Sequence, residues 1–155
     1  MEASSSGAGA TAGREGTGRT LAQTFCLVVG IVLIAVGVLG FFFGGTSFAV
    51  GDAIDGETFI VFEVNGWHNV VHIATGVFLV AMAAAPATAI TGAIAFGVLY
   101  VVLTIWGFIA MDNVIWLAPI NLPDNLLHLA LAILGLAIGL SARGKTGAPA
   151  RGRTA

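Results

Sequence analysis

Four apolar stretches, about residues 21–43, 67–85, 90–111 and 123–141, set the plan of this chain, each about 19 to 23 residues long. A helix needs roughly 20 apolar residues to cross a hydrocarbon core of about 30 Å, so the pattern predicts four transmembrane helices. The second and fourth stretches differ from the others in opening on a polar stripe. Asn65-Gly66-Trp67-His68-Asn69-Val70-Val71-His72 recurs 56 positions later as Asn121-Leu122-Pro123-Asp124-Asn125-Leu126-Leu127-His128. In each copy the polar side chains fall at i, i+3, i+4 and i+7, which is one face of a helix.

The breaks between stretches have their own signals. Pro86 is expected to end the second helix, since it lacks an N–H and fixes φ, with Ala87 to Ala89 as a short turn. Pro123 suits the first turn of the fourth helix. The loop from Gly44 to Gly66 carries Asp52, Asp55, Glu57 and Glu63 around an apolar middle, Thr58 to Phe62, which is expected to lie in the membrane interface or cover the bundle. The second loop, Asp112 to Leu122, places Trp116 at the lipid headgroups.

The first and third stretches also correspond, with Gly30, Gly40 and Phe41 matching Gly97, Gly107 and Phe108 at an offset of 67. The expected fold is therefore an all-α membrane protein in which a two-helix unit is repeated in tandem. A unit of two spans keeps its orientation, so the repeat is of the parallel class, about an axis along the membrane normal. Gly40 with Gly44 and Gly135 with Gly139 have the spacing that lets membrane helices approach closely.

Composition agrees, with 57% hydrophobic and 9% charged residues against about 25% charged in a soluble domain. The net charge of −2 conceals a segregation: Arg14, Arg19, Arg143, Lys145, Arg151 and Arg153 are the six basic residues, and all lie outside the apolar stretches. Residues 1–20 and 142–155 are Gly/Ala-rich and are expected to be disordered tails. With an even number of spans, the excess of Arg and Lys predicts both tails in the cytoplasm and both polar stripes at the extracytoplasmic end. The basic tails have no interleaved aromatics, which argues against nucleic acid. The single cysteine, Cys26, excludes an intrachain disulfide or a cysteine metal site. No nucleophile and base pair, phosphate loop or paired-carboxylate pattern is present, so the chain is expected not to be an enzyme.

The candidate chemistry lies where the stripes meet. Asn65, His68, Asn69, His72, Asn121, Asp124, Asn125 and His128 gather at one end, and two readings compete. In the first they form a hydrogen-bonded clamp, capping helix starts and joining the halves. The protein is then a structural or interaction module needing no cofactor. Its partner is the lipid bilayer, with another membrane protein or a second copy of the chain as further candidates. In the alternative, His68, His72, Asp124 and His128 serve a redox or transport component by binding metal or haem. His68 with His72 and Asp124 with His128 are i, i+4 pairs, and three nitrogens with one carboxylate oxygen suit zinc, copper or iron. His72 and His128 at matched depth could instead ligate a haem axially.

The pattern Phe62-x-Val64-Asn65-x-x-His68-Asn69-x-x-His72-x-x-x-Gly76, followed by Asn121-x-x-Asp124-Asn125-x-Leu127-His128, resembles the family known as domain of unknown function 4383, over about residues 21–141. The resemblance implies a four-pass integral protein of the bacterial plasma membrane, mostly actinobacterial, with no established activity. Ala132 stands where the first copy has Gly76.

Overall fold

A computed structural model describes residues 18–146. Most of both expected tails, residues 1–17 and 147–155, therefore lies outside the described residues. The described residues form four α-helices: α1 (Leu21–Phe42), α2 (Gly66–Met82), α3 (Pro86–Ala110) and α4 (Leu122–Thr146). Three of them, over Leu21–Phe42, Pro86–Ala110 and Leu122–Lys145, are long and apolar enough to cross a membrane. The apolar α2 is shorter, at 17 residues.

Local chemistry sets the helix ends. Thr20 and Gln23 form a reciprocal capping box at the start of α1, with Gln23 N donating to Thr20 Oγ1 at 3.2 Å and Thr20 N to Gln23 Oε1 at 3.1 Å. The Gln23 carboxamide also donates to Ala83 O at 3.0 Å, which ties the end of α2 to the start of α1. The expected turn at Ala87 to Ala89 is corrected: Pro86 opens α3 instead of closing α2. At the first helical position a proline's missing N–H has no intrahelical role, and Thr88 Oγ1 accepts from Ala85 N at 3.3 Å and reaches Met82 O at 2.8 Å. The fourth helix runs past the expected limit of 141. Arg143 and Lys145 occupy its last turn, where the partial negative charge of a helix end favours cations.

Both long loops fold into hairpins that the sequence reading leaves as loops. In the first, β1 (Glu57–Phe59) pairs antiparallel with β2 (Phe62–Val64). In the second, β3 (Asn113–Val114) pairs with β4 (Ala118–Pro119). Ile60 at φ 63° and Trp116 at φ 56° turn the two tips through the left-handed region, and the two residues are 56 positions apart.

Helix α1 packs along α2, and α3 along α4. The contact is close enough to require glycine. A Cβ on Gly30 would lie 2.8 Å from Gly76 O, and one on Gly76 would lie 2.6 Å from Gly30 O, so these backbones touch. In the other pair a Cβ on Gly97 would meet Leu136 Cγ at 2.8 Å and Ala132 O at 3.1 Å. The expected Gly40 and Gly44 pair does not form one helix face, because α1 stops at Phe42 and Gly44 turns the chain at φ 108°. The hydrophobic core fills the end away from the hairpins, where Phe25 meets Phe96 edge-on at 6.1 Å and Cys26 Sγ lies 3.4 Å from Ala89 O. Cys26 is thus a packing residue.

Candidate metal centre

The hairpin end is built on two asparagine caps. Asn65 Oδ1 accepts from His68 N at 2.9 Å, closing the first turn of α2, while its Nδ2 donates to Leu117 O at 2.8 Å. Asn121 Oδ1 accepts from Asp124 N at 3.1 Å in α4, while its Nδ2 donates to Val61 O at 2.9 Å. Each carboxamide therefore caps its own helix and holds the hairpin that leads into the other stripe. Substituting a capping Asn costs about 1 kcal/mol, and losing the second bond would orphan a carbonyl as well.

One turn further, Asn69 and Asn125 are seated against glycines. A Cβ on Gly40 would overlap the Asn69 carboxamide, and one on Gly107 would overlap that of Asn125. Asn69 Nδ2 also donates to Gly45 O at 2.8 Å, fixing the chain just past α1. The Oδ1 atoms of both asparagines have no hydrogen-bond donor, which glycine Cα–H groups offset in part.

Asp124 does not gather with the histidines as a ligand would. Its Oδ2 accepts from Glu63 N at 3.0 Å and from Asn121 N at 3.1 Å, completing the α4 cap and binding β2 to it. This also accounts for the one change between stripes, His68 against Asp124. The position offset by 56 from Glu63 is Pro119, which has no N–H to offer a carboxylate at position 68. The His68 ring faces carbonyls instead: Nδ1 lies 2.9 Å from Glu63 O, and the Pro119 backbone also approaches the ring.

The three histidines do converge. His68, His72 and His128 are 4%, 7% and 5% exposed, and one ring nitrogen of each lies within 4.8 Å of the other two. Ring centroids are 4.5 Å apart for His68 and His72, 6.0 Å for His68 and His128, and 6.2 Å for His72 and His128. His68 Nε2, His72 Nδ1 and His128 Nδ1 are buried without a hydrogen-bond partner. A carbonyl can only accept, so His68 Nδ1 carries the proton, and its Nε2 holds a lone pair in the neutral ring. A backbone carbonyl on the far nitrogen is the usual support of a metal-binding imidazole.

Tyr100, on α3, completes the surroundings. It is fully buried, its ring meets His128 edge-on at 5.1 Å, and its hydroxyl lies 3.5 Å from Thr75 Oγ1. Tyr100 lies on an uncharged helix outside both stripes, so the stripe pattern alone does not bring it to the site. The triad forms the floor of a pocket of about 530 Å³, open mouth included, between α2, α3 and the second hairpin.

A mostly helical protein with membrane-length apolar helices and a buried histidine cluster is the class that fold and site define. The family model described as "Domain of unknown function (DUF4383)" matches residues 23–141, and the chain belongs to that family. No curated protein and no solved structure matches it.

Proposed function

We propose that this is a four-pass plasma-membrane protein, made of two tandem two-helix halves, that holds one zinc or copper ion through His68, His72 and His128. The observation that carries the proposal is the convergence of three buried histidines, one ring nitrogen of each lying within 4.8 Å of the other two, in rings that each hold a buried nitrogen without a hydrogen-bond partner. An unpaired buried polar atom costs about 1–3 kcal/mol, and a bound cation removes that cost at each such nitrogen it ligates. In a tetrahedral site with bonds of about 2.0–2.1 Å the nitrogens would sit roughly 3.3 Å apart, so small side-chain rotations suffice. A fourth position is left open, as in metal sites that act on a further ligand.

The ligand set is neutral, so the charge of the ion must be met nearby. Asp124 and His68 both bond the backbone of Glu63, which places the carboxylate beside the site. Haem fits less well than an ion. The His68 ring, 4.5 Å from His72 and 6.0 Å from His128, stands where a macrocycle between those two would pass.

The clamp belongs to the same proposal. Asn65, Asn121 and Asp124 hold the frame, and the histidines it positions are left free to bind. The tandem relation is supported by bonds that recur at the 56-residue offset, Asn65 to Leu117 O and Asn121 to Val61 O. The fourth span is supported by the length of α2, since 17 residues rise about 25 Å and lie at the short end of the membrane range. Arg19, Arg143 and Lys145 flank the helix ends away from the hairpins. The positive-inside rule then puts those ends in the cytoplasm and the triad towards the outside.

Elemental analysis of protein purified without chelators tests the proposal. One equivalent of zinc or copper per chain is expected, and it should be lost when His68, His72 and His128 are all replaced by Ala. A wild-type protein free of metal after incubation with both ions would sink it.

A further inference from the structure

We infer that the pocket above the triad binds a neutral, membrane-dissolved ring compound through a single oxygen directed at the histidine centre; the oxygen's role as a metal ligand rests on the function proposed above. The pocket, about 530 Å³ with its mouth, is lined by Trp67, Val71, Tyr100, Leu103, Ile115 and Leu117 among others, and by the three histidines.

Charge decides the class of ligand. No Lys, Arg, Asp or Glu lines the pocket, so a charged ligand would lose its water with no countercharge in return. The other polar side chains in the wall are already engaged: Trp67 Nε1 donates to Phe48 O at 3.0 Å, and the Tyr100 hydroxyl faces Thr75. The histidine rings meet the pocket almost wholly through carbon, so a polar atom of the ligand reaches that centre only through the bound ion. One ion there suits one oxygen and an otherwise apolar body. Trp67 and Tyr100 supply aromatic walls, against which a flat ring packs well.

The route is through lipid. Val71 and Ile115 are the exposed members of the lining and both are aliphatic. On the opposite side, a second pocket of about 520 Å³ reaches His72 and His128 between α1 and α4, and its walls include Val28, Val32, Leu33 and Leu127. Both approaches to the triad are apolar, so the ligand arrives from the bilayer and not from water.

The test uses the full chain in lipid nanodiscs loaded with cobalt(II), whose visible bands report its coordination, and three probes: 1-naphthol, naphthalene and 1-naphthoate. Naphthol is expected to shift the cobalt bands. Naphthalene should compete with naphthol without shifting them, and naphthoate should do neither. Val71→Trp or Leu103→Trp, which fill the pocket from different helices, should weaken naphthol binding at least tenfold with cobalt still bound. Unmoved bands at saturating naphthol, or equal binding of naphthoate, would overturn the inference while leaving the metal proposal intact. If the chain takes up no cobalt, zinc or copper, the metal proposal fails by itself, and saturation-transfer NMR of naphthol on the metal-free protein then decides. Transfer above empty nanodiscs that is lost in Val71→Trp supports the pocket, and absence of transfer overturns it.

Discussion

Asn65 and Asn121 make the same two hydrogen bonds from opposite halves of the molecule: each caps its own helix, and each donates to a hairpin carbonyl, Leu117 O at 2.8 Å and Val61 O at 2.9 Å. The pairing joins the halves at the level where the histidines converge. Asn65→Ala and Asn121→Ala should each cost about 2 kcal/mol, from the lost cap and the orphaned carbonyl. The double variant should cost less than the sum, because both bonds close one interface. Thermal denaturation in detergent measures this, and full additivity would show two independent caps.

Gly40 and Gly107 provide the seats of Asn69 and Asn125. Gly40→Ala and Gly107→Ala should each destabilise by about 1–3 kcal/mol, as overpacking does. Gly18→Ala, with open space around it, should be neutral. Combining Gly40→Ala with Asn69→Ala should cost less than the two changes separately, because the overlap is then relieved. An equal loss in the combined variant would put the strain of Gly40→Ala elsewhere.

Much of this arrangement was legible in the sequence. The stripes at the 56-residue offset placed all eight polar residues at one end, and four apolar stretches located the four helices. The hairpins were not, because strands of two or three residues are too short to show alternation. Pro86 reads as a stop because it lacks an N–H and fixes φ, features that suit the first turn of a helix equally well. The starting signal is Thr88, whose hydroxyl closes the turn. The separation of roles was also hidden. Asp124 and His68 occupy the same position in the two stripes, and only the backbone of Glu63, which donates to one and accepts from the other, tells the cap from the candidate ligand. Pro119 opposite Glu63 was the available clue.

Asp124 therefore gives a sharp prediction. Asp124→Ala leaves two backbone N–H groups without their acceptor and should cost about 1–3 kcal/mol. Asp124→Asn keeps an acceptor oxygen and should cost less. Both variants should retain one metal ion per chain by elemental analysis. Loss of the ion from a variant that remains folded would show that Asp124 does more than cap α4, and an oxygen in the first shell of the wild-type ion would make it a ligand.

Acid should release the ion. Imidazoles bind metal in their neutral form, so protons compete for the same lone pairs, and affinity falls as pH is lowered from about 8 to about 5. With three histidine ligands, release can take up to three protons per ion. Equilibrium dialysis across that range checks the sign and the steepness. Affinity that stays level, or rises in acid, would be incompatible with a histidine site.

The most direct measurement is X-ray absorption at the edge of the bound zinc or copper, comparing the wild type with His128→Ala. A first shell with three imidazole nitrogens at about 2.0–2.1 Å, reduced to two in the variant, is the expected result. A shell of oxygen alone, or one unchanged by the loss of His128, would contradict the histidine centre.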